Sequence, residues 1–278
     1  MMRKKDIVIY LITACIAAAV TGCSSQTEGT VQTAKERTET AVNANPAGDK
    51  PNVYMTTEIS SDAMLKIYDA LGKKVTGNHI AVKLSTGEPG SNYLDPNLIK
   101  DLVQSMNGTI VECNTAYDGS RAETEMHYQV AKDHGFNDIA DVVIMDEDGS
   151  TILPVEGGTR LTENYVGAHF PEYDGFLVLS HFKGHAMAGF GGAIKNISIG
   201  IASREGKSLI HTAGASHTSP WGGEQDPFLE SMAEAGKSVV DSLNGNILYI
   251  SVMNRLSVDC DCSNASAEPG VKIGWRPF

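Results

Sequence analysis

The spacing of apolar and polar positions predicts strands and helices taking turns along the chain. Residues 79–84, 109–113 and 140–145 are short β-rich runs. Between them, residues 96–106 carry apolar side chains at helical spacing, opened by Pro96 and stopped by Gly108, and residues 121–134 repeat that spacing as far as Gly135. Strand, helix, strand in that order is the product of crossover connections, so a mainly parallel sheet is expected.

After a less regular middle the pattern returns. Residues 175–180 are almost continuously apolar, which suits a strand covered on both faces, and they lead straight into His181. Asp226 and Pro227 mark a helix entrance. Phe228, Met232, Ala235, Val239 and Leu243 then hold one apolar stripe up to Gly245, and residues 247–252 supply another strand. The expected fold class is α/β, with a mainly parallel or mixed sheet and helices on both faces.

The amino end follows a different rule. Arg3, Lys4 and Lys5 precede an apolar run over residues 7–20, too short for a comfortable membrane span, followed by Thr21, Gly22 and Cys23. This resembles the lipobox of bacterial lipoproteins, which implies a signal peptide over residues 1–22 and lipid on Cys23, the first mature residue. Residues 23–50 are rich in small and polar side chains and lack aromatics, as a flexible, lipid-anchored linker would. Residues 51–278 remain for the α/β domain, long enough for one substantial core. The expected location is the bacterial cell envelope, exported and anchored to a membrane.

A formal charge of -12 at pH 7 gives no broad basic footprint, so no nucleic acid is expected, although a local anion site is compatible with it. Apart from Cys15 in the signal and Cys23, the cysteines are Cys113, Cys260 and Cys262, which form no disulfide framework.

Candidate chemistry concentrates between His181 and His211, where histidine, lysine and glycine recur. His181 and His185 would share a face on a helix and approach one metal ion. On a straight strand they would stand roughly 13 Å apart, beyond common ligation. A transition metal would need a further ligand from His211, His217, Asp259, Cys260 or Cys262. The glutamate of a zinc-protease helix motif is absent. The same histidines could instead transfer protons or satisfy loop carbonyls.

Gly189, Gly191 and Gly192 lie just before Lys195 and Asn196. Their amides could form a concavity for an anion, with Lys195 supplying charge, or they could be a close-packed turn or a lid. Lys183, Arg204 and Lys207 could extend a substrate site, although a solvent-facing charge cluster is equally compatible for the last two. Tyr117 and Arg121 sit in a polar turn after the second strand, suited to orienting a substrate and clamping its carboxylate or phosphate. The alternative there is a turn with a helix cap. His127 is expected to be a surface or packing residue. Trp221 could cover a pocket entrance or plug it. Cys260 and Cys262, in Asp-Cys-Asp-Cys, could hold a soft metal, undergo redox chemistry or be structural thiols.

Three pieces together, YDGSR at residues 117–121, HFKGHAMAGFGGAIKNISIGIASREGK at residues 181–207 and VDCDC at residues 258–262, resemble the family called domain of unknown function 362. The resemblance implies an α/β fold and an iron–sulfur or other metal-related role. Relatives fused to ferredoxin segments carry cysteine arrays that this chain lacks, so a resident ferredoxin-type cluster is not expected. The family pattern also implies a longer carboxyl end than this chain has.

Two functional classes follow. One is a metal-dependent enzyme acting on a small anionic substrate, with His181 and His185 as ligands or proton-transfer groups and Lys195 positioning negative charge. The other is a lipid-anchored protein that binds a small anion or a metal without catalysis.

Overall fold

The computed structural model describes residues 52–255. Five strands make the main sheet: β1 (Ile80–Lys83), β2 (Thr109–Glu112), β3 (Val142–Ile144), β6 (Gly175–His181) and β9 (Ile247–Val252). All neighbours in it are parallel, in the order β3-β2-β1-β6-β9. The chain therefore winds outward from β1 through β2 to β3, then returns to β6 on the other side of β1. The boundary between β1 and β6 is a topological switch point, the place in open α/β sheets where ligands commonly bind, outside the carboxyl ends of the strands.

Two antiparallel pairs stand apart from this sheet, β4 (Ser150–Pro154) with β5 (Glu163–Gly167), and β7 (Lys183–His185) with β8 (Gly189–Gly191). The helices are α1 (Ser61–Ala70), α2 (Pro96–Ser105), α3 (Thr124–Asp133), α4 (Ala193–Ile197), α5 (Arg204–His211) and α6 (Gln225–Ser242).

Alternation along the strands divides the core. Ile80, Val82, Ile110, Leu177 and Leu179 point to one face, against Met64 and Tyr68 of α1, Ile99, Leu102 and Val103 of α2 and Ala131 of α3. Ala81, Val111, Phe176 and Val178 point to the other, against Ile197 of α4 and Val239 of α6. Helices thus cover both faces, and every residue of β6 is buried, as its unbroken apolar run requires. A third cluster joins Val155 and Leu161 to Ile210 of α5 and Phe228, Met232 and Ala235 of α6.

Local signals set several boundaries. Asp95 caps α2 through the Asn97 amide at 2.9 Å, with Pro96 at its first turn, and Ser203 caps α5 through the Gly206 amide at 3.2 Å. α3 begins at Thr124 rather than at residue 121, because the Arg121 side chain is drawn into a buried ion-pair network that holds its backbone in the preceding turn. Among the described residues no helix is long and apolar enough to cross a membrane.

Candidate functional site at the carboxyl edge of the sheet

The last residues of β1 and β2 are charged, although both strands are buried. Lys83 ends β1 on the face covered by α4 and is fully enclosed. Its Nζ donates to Leu84 O at 2.5 Å and to Asn196 Oδ1 at 2.9 Å, and lies 3.9 Å from Glu112 Oε1. A Cβ on Gly200 would come within 2.8 Å of that Nζ and 2.3 Å of Asn196 O, so glycine supplies the space in which the lysine lies.

Glu112 ends β2 and binds groups from several elements. Thr86 donates to its Oε2 through both N and Oγ1, at 2.8 and 2.5 Å, and His127 Nε2 of α3 lies 3.1 Å from the same oxygen. Arg121 NH1 reaches Oε1 at 3.2 Å, while its Nε donates to Glu88 Oε1 at 2.9 Å. Burial alone would raise the Glu112 pKa, but Arg121, His127 and Lys83 outweigh it and hold the carboxyl well below its usual range. Burial also works against the Arg121 charge, yet Glu112, Tyr117 and Glu88 raise its pKa.

Further cations gather around this network. Lys207 is buried and donates from Nζ to Ala202 O at 2.5 Å. Lys183 and Lys195 are half-buried, from β7 and α4 respectively. Burial pushes Lys83 down to about 8, a fall that Glu112 opposes. It takes Lys195 to about 8, helped by Lys207, Arg121 and Lys83, and Lys183 to about 7, helped by Lys195 and Arg121. Lys195 retains some surface accessibility, yet protein surrounds its amine closely enough for desolvation to dominate. Its Nζ makes no hydrogen bond or ion pair among the described residues.

His211 ends α5 beside these lysines. Its Nδ1 donates to Lys207 O at 2.7 Å, and its ring stacks on Phe228 at a centroid distance of 4.8 Å. Burial lowers its pKa to about 4, the Lys207 carbonyl opposes that fall, and Lys195 and Lys207 add to it. The imidazole is therefore neutral near pH 7, with Nδ1–H fixed and the lone pair on Nε2.

The structure thus brings Lys195, Lys183, Lys207, Arg121 and Tyr117 toward one cationic cluster, with His181 at its edge, where the Lys183 charge bears on it. His181 turns its Nε2 to Asn254 O at 2.5 Å, and burial lowers its pKa. His185 Nδ1 accepts from the Met187 and Ala188 amides at 3.2 and 3.0 Å, which places its proton on Nε2. Among the described residues no group of three or more histidine, cysteine, aspartate or glutamate side chains could hold a metal ion. Asp259, Cys260 and Cys262, the other candidate ligands, lie outside the described residues.

Gly189 and Gly191 form β8, paired with β7, instead of an amide concavity. Gly191 faces Lys183, whose Cγ would lie 3.2 Å from a Cβ there, and Gly192 packs against the Phe190 ring. Asn196 acts through its side chain, joining Lys83 to Ser180 Oγ at 3.1 Å. Arg204 points away toward Glu123 at 3.5 Å and is half-exposed. His217 pairs with Glu205 at 2.7 Å, and Trp221 is exposed, so it plugs nothing.

Lys83, Glu88, Glu112 and His127 were not among the sequence candidates. A lysine and a glutamate at the ends of otherwise apolar parallel strands were the available signal, since such strands leave no solvent-facing side. A separate concavity of about 620 Å³ lies beside Tyr93 and His134, but its charged lining, Asp95, Asp138, Lys100 and Arg255, is balanced.

The sequence matches the family described as Domain of unknown function (DUF362) over residues 80–275, most of the chain. The chain belongs to that family. The DUF362 match takes in the sheet, the lysine cluster and the stretch containing Cys260 and Cys262. No curated protein matches the sequence. Among solved structures, a lactate racemase apoprotein from Thermoanaerobacterium thermosaccharolyticum is 16% identical with a TM-score of 0.44, over 70% of this chain and 49% of its own. A protein from Thermotoga maritima is 13% identical with a TM-score of 0.46, over 72% and 53%. This chain spans about half the length of each, and the likeness is one of α/β fold alone.

Proposed function

We propose that the carboxyl edge of the sheet binds a small anion, a carboxylate or phosphate, and that this DUF362 chain acts on or captures such a ligand. The reading rests on the charge balance at the switch point. Among the described residues Lys83, Lys195, Lys207 and Arg121 converge there, and Glu112 and Glu88 pair with Lys83 and Arg121. Counting Asp146, whose charge bears on Cys113 and whose Oδ1 accepts from the Asn114 amide at 2.8 Å, the described residues still hold more cations than carboxylates there. Buried like charges repel, and an anion that entered would relieve both their repulsion and their lost hydration.

Calorimetric titration with oxalate and with inorganic phosphate at low ionic strength tests this. Saturable binding of at least one is expected, weakened by salt and by about tenfold or more in Lys195→Ala, as loss of a charge-assisted hydrogen bond would do. Absence of binding by both anions to the folded protein would refute the reading.

The accompanying proposal is that Cys23 carries lipid and holds the exported domain at a membrane of the bacterial cell envelope. Its support is the basic, apolar and small-residue order that ends at Cys23. Expression in a bacterial host should place the protein in the membrane fraction, and Cys23→Ser should shift it to the soluble fraction.

A further inference from the structure

We propose that Lys195 is an imine-forming amine for a small 2-oxo acid, with His211 as the proton carrier. This deepens the anion-site reading and rests on it, adding the substrate class and the covalent step.

The geometry separates Lys195 from its neighbours. Lys83 is held by Leu84 O, Asn196 and Glu112, and Lys207 by Ala202 O, so both amines are fixed in the protein framework. Lys195 Nζ is committed to no group among the described residues, and the residue as a whole is only partly buried. Its helix is nevertheless anchored: Asn196, the next residue, bonds Lys83 O and Leu179 O at 3.3 Å and Ser180 Oγ at 3.1 Å, and Ile197 enters the core. An uncommitted amine on a fixed support is what nucleophilic attack on a carbonyl requires.

His211 supplies the complementary group. Donation of Nδ1–H to Lys207 O and stacking on Phe228 fix the ring, and Nε2 makes no hydrogen bond among the described residues. α4 and α5, the helices of Lys195 and His211, both pack against α6, and the Lys195 charge bears on the His211 ring. Lys207 and Lys83 also bear on Lys195, with Arg121 and Glu112 from the far side of the cluster. Crowding by these cations favours the neutral, nucleophilic form of the amine.

In the step itself, the neutral amine's lone pair bonds to the keto carbon as the C=O π pair moves onto oxygen. His211 Nε2 removes a proton from the resulting ammonium and returns one to that oxygen, giving a carbinolamine. His211 Nε2 then takes a proton from solvent and passes it to the hydroxyl, which leaves as water while the nitrogen lone pair forms C=N, and the iminium N–H proton returns to solvent through the same Nε2. Amine and 2-oxo acid give imine and water with no change of oxidation state. The substrate's carboxylate would bring negative charge among the cations that bear on Lys195, namely Lys207, Arg121 and Lys83.

Glyoxylate, with glycolate as its counterpart lacking the carbonyl, is the probe. The full-length protein is equilibrated with glyoxylate near pH 8, reduced with borohydride and mapped by peptide mass spectrometry, and binding of both acids is measured in parallel. The expected result is a carboxymethyl adduct on Lys195 at least about tenfold above that on any other lysine. The adduct should be absent in Lys195→Arg, and in His211→Gln it should form about a hundredfold more slowly, in line with loss of a positioned acid–base group. Binding of both acids with no preferential adduct on Lys195 overturns the imine while leaving the anion site standing. Binding of neither overturns the anion site as well. Wild-type mapping decides the matter even if a variant misfolds.

Discussion

Lys83 Nζ donates to Asn196 Oδ1 across 2.9 Å, joining the end of β1 to the helix that carries Lys195. The same asparagine reaches Ser180 of β6 through Nδ2, so one side chain bridges the two strands that flank the switch point. Asn196→Ala removes an acceptor from a fully buried ammonium. Urea unfolding should show a loss of about 1–3 kcal/mol, accompanied by weaker oxalate binding because α4 loses its tie to the sheet.

Glu112 neutralises Arg121 and Lys83 and also accepts from Thr86 and His127. Glu112→Gln keeps the volume and discards the charge. Buried cations without their counter-charge are costly, so a loss of about 3–5 kcal/mol is expected in denaturant unfolding. Because the folded carboxyl titrates well below its unfolded value, its contribution is present above the unfolded pKa and fades as pH falls through the folded one. The difference between wild type and Glu112→Gln should accordingly narrow in acid.

The lysines carry the opposite consequence. Lys195 and Lys83 titrate at about 8 and Lys183 at about 7 in the folded protein, against about 10.4 for an unperturbed lysine. Between those values the unfolded chain binds more protons, so these groups make stability rise with pH from about 7 toward 10. Lys195→Met should raise the Tm near pH 6, where the wild-type amine is charged, and that advantage should shrink above pH 8. A scan of Tm against pH for both proteins checks the sign.

Anion binding should draw on the same groups. A bound dianion favours the charged lysines, so binding near pH 8 should take up protons and affinity should fall as pH rises from about 7 to 9. Titration in two buffers of different ionisation enthalpy measures the uptake directly. Equal heats in both would contradict it.

Gly200 gives space to the buried lysine, since an added Cβ would meet Asn196 O at 2.3 Å and Lys83 Nζ at 2.8 Å. The first contact is with backbone and cannot be relieved by rotating a side chain. Gly200→Ala should cost about 1–3 kcal/mol in urea unfolding, the usual range for overpacking.

The local pattern was enough to locate the five strands of the main sheet, α2 and α6. Their apolar spacing, Pro96 and Asp226-Pro227 at the helix starts, and Gly108, Gly135 and Gly245 at the stops act within a few residues. β7 and β8 were hidden because a glycine-rich run has no strand signature until Gly191 pairs with Lys183. α4 is too short to show a period.

For the site, the sequence determined the chemistry available near residues 181–211 and its position after a buried strand, because strand order and side-chain type are properties of the chain. Only the tertiary structure decided which groups meet. It drew Lys83, Glu112 and Arg121 into one network, left the Lys195 amine without a hydrogen bond among the described residues, and turned His181 Nε2 and His185 Nδ1 toward backbone groups. Lys83 and Asn196 are 113 positions apart, and their contact exists because β6 returns beside β1. A charge's partner, and therefore its pKa and its role, is fixed by that crossover and by the loss of water around it, and neither is a property of local sequence.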